Sequence, residues 1–246
     1  MNSKPKITII IPCYNSEKWI EECIMSALEQ TYDNKEVIFV DNESSDSSLE
    51  IARSIQQKHE ELVVETAENI YKYSYQEPVE KALSISNGEY ATILGSDDFI
   101  DKDYIKNVSE ILSKSDKISV LQTPVRGVKG AAKTYVGDIS HSYKNLKQFK
   151  EQLFVKCPVT TPTIVFKKSL YDSGIIRWNS EEYLGACDYE LYFNLADNDV
   201  FIYPFPKWIG YYYRWNEDQC TWGMHKEEAN FDQKVKDYWR NRWTQI

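Results

Sequence analysis

The sequence has no Cys-x-x-Cys pair. Cys13, Cys23, Cys157, Cys187 and Cys220 are scattered and odd in number. This spacing argues against a structural zinc site and a disulfide framework, and points to a reducing compartment. Long apolar runs are missing too: no stretch approaches the roughly 20 residues of a membrane-crossing helix. The opening MNSKPK has no signal-peptide profile. Together these predict a cytoplasmic chain. Basic charge is in deficit, with 29 Lys and Arg against 38 Asp and Glu and a net charge of −9. A nucleic-acid binder carries the opposite footprint, so no nucleic-acid partner is expected. Neither Gly-x-Gly-x-x-Gly nor Gly-Lys-Ser/Thr occurs, so a bound phosphate would need another means of neutralisation.

What is present is a regular alternation. Ile7–Ile11 is a β-branched run closed by Pro12, and Asn15-Ser16 offers a cap for a helix bearing Trp19, Ile20, Cys23, Ile24, Ala27 and Leu28 at helical spacing. Val37–Val40 forms a second run ending at Asp41. The polar loop 42–47 and a helix with Leu49, Ala52 and Ile55 follow, then a third strand at Leu62–Val64. Past the tyrosine-rich segment around Lys72, Pro78 is placed at a first helical position. That helix carries Val79, Ala82, Leu83 and Ser86, and Gly88 is expected to stop it. Tyr90–Leu94 reads as a strand buried on both faces. A helix with Tyr104, Ile105, Val108, Ile111 and Leu112 and a strand over Ile118–Val125 complete the series. Such alternation predicts a parallel, doubly wound sheet.

Beyond Val125 the character changes. Arg126–Gly137 reads as a solvated loop or hairpin, Asn145–Val155 and Asp188–Ala196 as helices, and Thr163–Phe166 as a strand. Aromatic residues crowd the region from Trp178 onward, Trp222 included. With no repeat or low-complexity linker, 1–246 is expected to be one domain: a nucleotide-binding half, 1–125, and an appended lobe, 126–246. Phe231, Val235, Tyr238, Trp239 and Trp243 have the spacing of a core-facing helix. The Lys234, Lys236, Arg240 and Arg242 beside them also fit an interfacial helix in peripheral contact with a membrane.

The stretch Gly95-Ser96-Asp97-Asp98 carries the chemistry. Ligands of open α/β sheets bind outside the carboxyl ends of the strands. Two adjacent carboxylates there repel each other unless a cation intervenes, and a hard divalent ion carrying phosphate oxygens meets that need. An equal alternative is that Asp98 or Asp101 caps the following helix.

Four stretches in register resemble the inverting glycosyltransferases of GT-A family 2: residues 9–15, residues 37–46, residues 88–98, and Cys187-Asp188-Tyr189-Glu190-Leu191. The resemblance implies a GT-A fold, with a Rossmann-like nucleotide half, a mostly parallel sheet and an acceptor-side lobe. It implies a nucleotide-sugar donor, UDP-linked first, held by Pro12, Tyr14, Glu17, Asp41, Asn69, Ser96 and Asp97. It places Mg²⁺ or Mn²⁺ at Asp97 and Asp98, and a saccharide or lipid-linked glycan acceptor beside Asp188 as general base. By themselves, Tyr14 also reads as a packed aromatic, Asp41 as the cap of its own loop, and Asp188 as a helix cap. A helix N-terminus would keep Asp188 ionised. The pattern departs from the family at Asp41-Asn42-Glu43-Ser44, where Asp-Asp-Gly-Ser is common. It departs also at Gly95, where a first carboxylate is common, at Cys187, and at Tyr213-Arg214-Trp215-Asn216, which lacks a later His. These departures keep open a second reading, a catalytically silent module that binds a nucleotide or glycan. A nucleotidyltransferase is weaker, and nothing in the sequence sets an oligomeric state.

Overall fold

A computed structural model describes residues 4–71, 73–205, 207–216 and 230–244; Lys72, Cys220 and Trp222 lie outside the described residues. The first half follows the expected alternation: β1 (Ile7–Cys13), α1 (Ile20–Leu28), β2 (Lys35–Asp41), α2 (Ser48–Gln56), β3 (Leu62–Thr66), α3 (Gln76–Ile85) and β4 (Tyr90–Ile93). β1 is flanked in parallel by β2 and β4, and β3 lies outside β2. Side chains alternate across a strand, which explains the two-sided core. Ile10, Ile38 and Val40 pack with Val79, Ala82 and Leu83 of α3. Ile9, Ile11, Val37 and Phe39 pack with Ile20, Cys23, Ile24 and Ala52 on the opposite face. Each fully buried Ile or Leu contributes about 1.5–3 kcal/mol, so both faces hold the sheet.

The second half contributes β5 (Phe99–Ile100), α4 (Tyr104–Leu112), β6 (Val120–Gln122), β7 (Val125–Lys129), β8 (Thr134–Ile139), α5 (Leu146–Leu153), β9 (Ile164–Lys167), α6 (Lys168–Asp172), α7 (Ser180–Tyr183), α8 (Cys187–Asp197), β10 (Ile202–Pro204), β11 (Tyr211–Trp215) and α9 (Phe231–Thr244). The main sheet runs β10-β6-β9-β4-β1-β2-β3, and a smaller one runs β5-β11-β7-β8. β9 is antiparallel to both of its neighbours. Its amino end therefore lies at the carboxyl edge of β4, where Thr92 Oγ1 donates to the Ile164 carbonyl at 2.9 Å.

Several local expectations are corrected. The run 118–125 is two strands in two sheets, because Pro124 between them offers no N–H to a ladder. Of the loop or hairpin expected over Arg126–Gly137, the hairpin is what forms: β7 and β8 pair antiparallel and turn through Gly130 at φ +63°. β1 continues through Pro12, which lies opposite Val40 beyond the last residue paired with β4. Asn15-Ser16 does not cap α1 with a side chain. The helix begins at Ile20, and Asn15, at φ +50°, accepts instead from the Ser45 amide at 2.8 Å. Pro78 is the third residue of α3, and that helix ends at an extended Ser86 before reaching Gly88. Gly88 is needed for close packing, since a Cβ there would sit 2.3 Å from Thr8 Oγ1. Neither Asp98 nor Asp101 caps α4, whose preceding residue is Asp103.

Asn145 does cap α5, accepting from the Gln148 amide at 2.9 Å. α9 lays Val235 and Trp239 into the core, and Trp239 stacks on Phe193 at 5.9 Å between ring centres. Tyr238 is on the outer face, 50% exposed.

Candidate functional site

The loops after β1, β2 and β4 meet at the carboxyl edge and are laced together. Asn15 N donates to Ser44 Oγ at 2.9 Å and Ser16 N to Ser48 Oγ at 2.8 Å. Glu17 closes a reciprocal pair: its amide donates to Asp46 Oδ2 at 2.9 Å, and its Oε2 accepts from the Ser47 amide at 3.0 Å. Burial would raise the Asp46 carboxyl, but the Ser48 hydroxyl and the Glu17 and Ser48 amides outweigh it and hold it below the usual range. Ser16 Oγ and Ser96 Oγ lie 2.7 Å apart, bringing in the third loop. Tyr14 stands at this rim, 47% exposed rather than packed away, and Pro12 beneath it is half-buried.

Asp41 is buried at the end of β2. Its Oδ2 accepts from the Ser44 amide at 3.0 Å, which realises the loop-cap reading with one oxygen. Its Oδ1 is buried with no hydrogen-bond partner among the described residues. A buried acceptor left unpaired is costly, and Asp41 Oδ1 carries that cost here. Asn69, half-buried on the segment after β3, donates its amide to Glu43 Oε2 at 3.1 Å. That segment thereby folds against the loop bearing Asp41.

Asp97 and Asp98 take different roles. Asp98 is 1% exposed. Its Oδ1 accepts from the Arg214 amide and its Oδ2 from the Tyr211 hydroxyl, both at 2.7 Å. Burial first, and the neighbouring Asp97 second, push its carboxyl well above the usual range despite those bonds. Asp97 is half-buried; its Oδ2 accepts from Asn216 Nδ2 at 2.7 Å. Arg214, fully buried on β11, holds the turn. It donates to the Asp97 carbonyl at 2.7 Å, the Gly130 carbonyl at 2.7 Å and Glu22 Oε2 at 2.5 Å, and its guanidinium lies 4.3 Å from the Trp19 ring centre. The sequence signal for Arg214 was weak: a cation within an aromatic strand.

Among the described residues no group of three or more His, Cys, Asp or Glu side chains surrounds one point. The residues do fit one habit of a hard cation, one carboxylate completed by substrate phosphate oxygens. Asp97, with the Asn216 carboxamide beside it, would supply that carboxylate.

Asp188 reaches the same edge by way of β9. The 3₁₀ turn Thr161–Thr163 precedes β9, and Thr161 Oγ1 donates to Asp188 Oδ2 at 2.5 Å. Asp188 is the second residue of α8, behind Ala186 at the cap position, so it is not the helix cap. Burial pushes its carboxyl up to about 6; Thr161 and the Tyr189 amide oppose the rise and Asp232 adds to it. Desolvation thus outweighs the helix-end effect. Nearby carboxylates have other partners: Glu190 pairs with Arg177 at 3.2 Å and Glu182 with Lys234 at 2.7 Å.

Two surface cavities are also present. One of about 370 Å³ is lined by Leu146, Phe154 and Trp243, and one of about 570 Å³ by Phe99, Arg126, Tyr135 and Tyr212. Neither is lined by Asp41, Asp97 or Asp188, and the converging polar groups locate the candidate site better than cavity size does.

A mostly parallel α/β sheet with a small second sheet, and carboxylates at its carboxyl edge, is the architecture of GT-A proteins. The sequence profile described as Glycosyl transferase family 2 matches residues 8–176, and the chain belongs to that family. It is similar to the poly(ribitol-phosphate) beta-glucosyltransferase of Bacillus spizizenii, 34% identical over 127 residues, covering 51% of this chain and 20% of that protein. Its fold is similar to Staphylococcus aureus TarS 1–349 in complex with UDP-GlcNAc, at TM-score 0.71 and 23% identity over 88% of this chain and 60% of that one. It is also similar to the mannosyltransferase PcManGT from Pyrobaculum calidifontis in complex with GDP-Man and Mn²⁺, at TM-score 0.63 and 17% identity over 97% and 70%. The chain spans 36%, 20% and 14% of the lengths of three curated relatives it matches.

Proposed function

We propose that the chain transfers a sugar, with inversion, from a nucleoside diphosphate sugar to a saccharide or lipid-linked glycan. A UDP-sugar is the first candidate donor. The observation that carries this reading is Asp188, a half-buried carboxyl pushed up to about 6 by desolvation, at the same sheet edge as the orphaned Asp41 Oδ1.

The residues divide the work. Asp41 Oδ1 accepts an N–H of the base, and Tyr14 offers a flat apolar wall with a hydroxyl at its end. Pro12, Glu17, Asn69 and Ser96 shape the donor pocket around the laced loops. The acceptor hydroxyl gives its proton to Asp188 as its oxygen attacks the anomeric carbon, and the bond to the diphosphate breaks in line. A base with a pKa of about 6 is mostly ionised at pH 7 yet basic enough to share the proton in the transition state. Asp97 would hold Mg²⁺ or Mn²⁺, which supplies positive charge where the leaving diphosphate gains negative charge. Asp98, with both oxygens in protein hydrogen bonds, supports that turn from beneath.

The same reading divides the domain into a donor half, 1–125, and an acceptor half, 126–246. Among the described residues no helix is long and apolar enough to cross a membrane. A core-closing role for α9 is favoured over an interfacial one, because Lys234, Arg240 and Arg242 pair with Glu182, Asp237 and Asp197.

A panel of nucleotide-sugars with and without Mn²⁺ tests the function. A ligand at 100 times its dissociation constant adds about 2.7 kcal/mol to stability. Release of free nucleoside diphosphate from the stabilising donor, lost in Asp188→Asn, is the expected outcome. Donor binding without turnover would favour the silent module instead.

A further inference from the structure

Asp188 is the end of a chain of hydroxyls. Tyr192 lies one helical turn further along α8, on the same face. Its hydroxyl donates to Thr161 Oγ1 at 2.7 Å, and Thr161 Oγ1 in turn donates to Asp188 Oδ2 at 2.5 Å. The direction of both bonds is fixed by chemistry. A hydroxyl has one hydrogen, so a Thr161 that accepts from Tyr192 spends its own hydrogen on the carboxylate. Tyr192 is fully buried and Thr161 half-buried. Thr161 is itself held by a local frame: it opens the 3₁₀ turn, Pro162 follows it, and Thr163 Oγ1 donates back to the Thr160 carbonyl at 2.7 Å. His141 Nε2 lies 3.0 Å from Thr160 Oγ1 on the other side of that turn. Among the described residues Oδ1 of Asp188 receives no side-chain hydrogen bond.

Resting on the reading of Asp188 as the base, we infer that Thr161 and Tyr192 are positioning residues: a two-link relay that fixes Oδ2 as an acceptor and presents Oδ1 to the incoming hydroxyl. The relay sets two properties at once. Rotation of the carboxyl about χ2 is blocked, so the lone pair that takes the proton keeps its direction. The carboxylate is also stabilised against its desolvation, because a hydrogen bond to a charged acceptor favours the charged form. Tyr192 strengthens the second bond by polarising the Thr161 hydroxyl.

The other groups facing Asp188 act in the opposite sense or on one another. Asp232 of α9 raises its carboxyl. Tyr75 before α3, Cys157 after α5 and Cys187 of α8 are themselves raised by burial and by the Asp188 charge. Lys236 of α9 bears on Cys157, and Lys156 keeps His141 low after burial has done so. Through Thr161, Tyr192 is therefore the tyrosine that supports the charged form.

The test is a pH titration of the full chain labelled with ¹³Cγ-aspartate, the Asp188 resonance being assigned by its loss in Asp188→Asn. The unaltered chain should titrate near pH 6. Thr161→Val, nearly isosteric, should move that midpoint up by about one to two pH units, the value of a hydrogen bond to a charge. Tyr192→Phe should move it up by about 0.1–0.6 unit, the roughly 10–30% of that bond lost with one polarising link. Thr161→Ser should restore it. Thermal unfolding confirms that each variant is folded, and a packing role alone would change that reading without moving the titration. A midpoint unmoved in Tyr192→Phe, or in Thr161→Val, overturns the relay. An Asp188→Asn chain that keeps near-full turnover overturns the base reading, whatever the titration shows.

Discussion

Tyr211 donates its hydroxyl hydrogen to Oδ2 of Asp98 at 2.7 Å and accepts, on the same oxygen, the amide of Gly95 at 3.0 Å. A residue of the small sheet thus fixes both ends of the turn that carries Asp97. The two adjacent carboxylates are in this way placed differently, Asp98 buried under the turn and Asp97 half-exposed on it.

Alanine substitutions should separate the two. Asp98→Ala strands the Tyr211 hydroxyl and the Arg214 amide, a loss of about 2–4 kcal/mol from two buried donors. Asp97→Ala should leave urea unfolding within about 1 kcal/mol of the parent, as half-exposed sites do, yet weaken Mn²⁺-dependent UDP binding at least tenfold by calorimetry. UDP affinity undiminished by EDTA in the unaltered protein would sink the metal assignment.

Asp188 should cost stability at neutral pH. Its folded pKa of about 6 lies above the ordinary aspartate value of 3.8. The unfolded chain therefore releases the proton near pH 4 and the folded chain only near pH 6. Stability is full below pH 4, falls as pH rises through that window, and stays reduced above it. Asp188→Asn carries no such cost. It should be more stable than the parent by about 1–3 kcal/mol at pH 7.5, with the gain fading at pH 4. Chemical denaturation at the two pH values measures this, and a less stable variant at pH 7.5 would contradict it.

Asp41→Ala removes the orphaned acceptor. UDP binding should weaken by about 1–3 kcal/mol, since a base donor would then be left unpaired. Isothermal titration with UDP, dTDP and GDP checks the claim. Equal binding of all three by the unaltered chain would show that Asp41 reads no base.

Arg214→Ala should destabilise the fold by about 2–4 kcal/mol, toward the lower end for a broken buried ion pair, because Glu22 keeps Lys133 as a partner. Two carbonyls and the Trp19 face also lose their cation. Urea unfolding reads the loss; a change under about 0.5 kcal/mol, typical of plain surface sites, would show that the turn stands without it.

The apolar runs by themselves determined the first half of the main sheet. Ile7–Ile11, Val37–Val40 and Tyr90–Leu94 can be satisfied only between two layers of helices, so the strands and the crevice at their ends follow from local pattern. The positions of Asp41, Asp97 and Asp188 at the starts of loops and helices were legible for the same reason. Tertiary structure decided the rest. Local pattern could not show that Pro124 sends one apolar run into two sheets, or that β9 enters antiparallel and carries Thr161 to Asp188. Nor could it show which of two adjacent aspartates faces inward. That choice is made by Tyr211 and Arg214, 113 and 116 residues away in the chain. Contacts of that span leave no periodicity in a sequence; they exist only once the small sheet has closed on the large one.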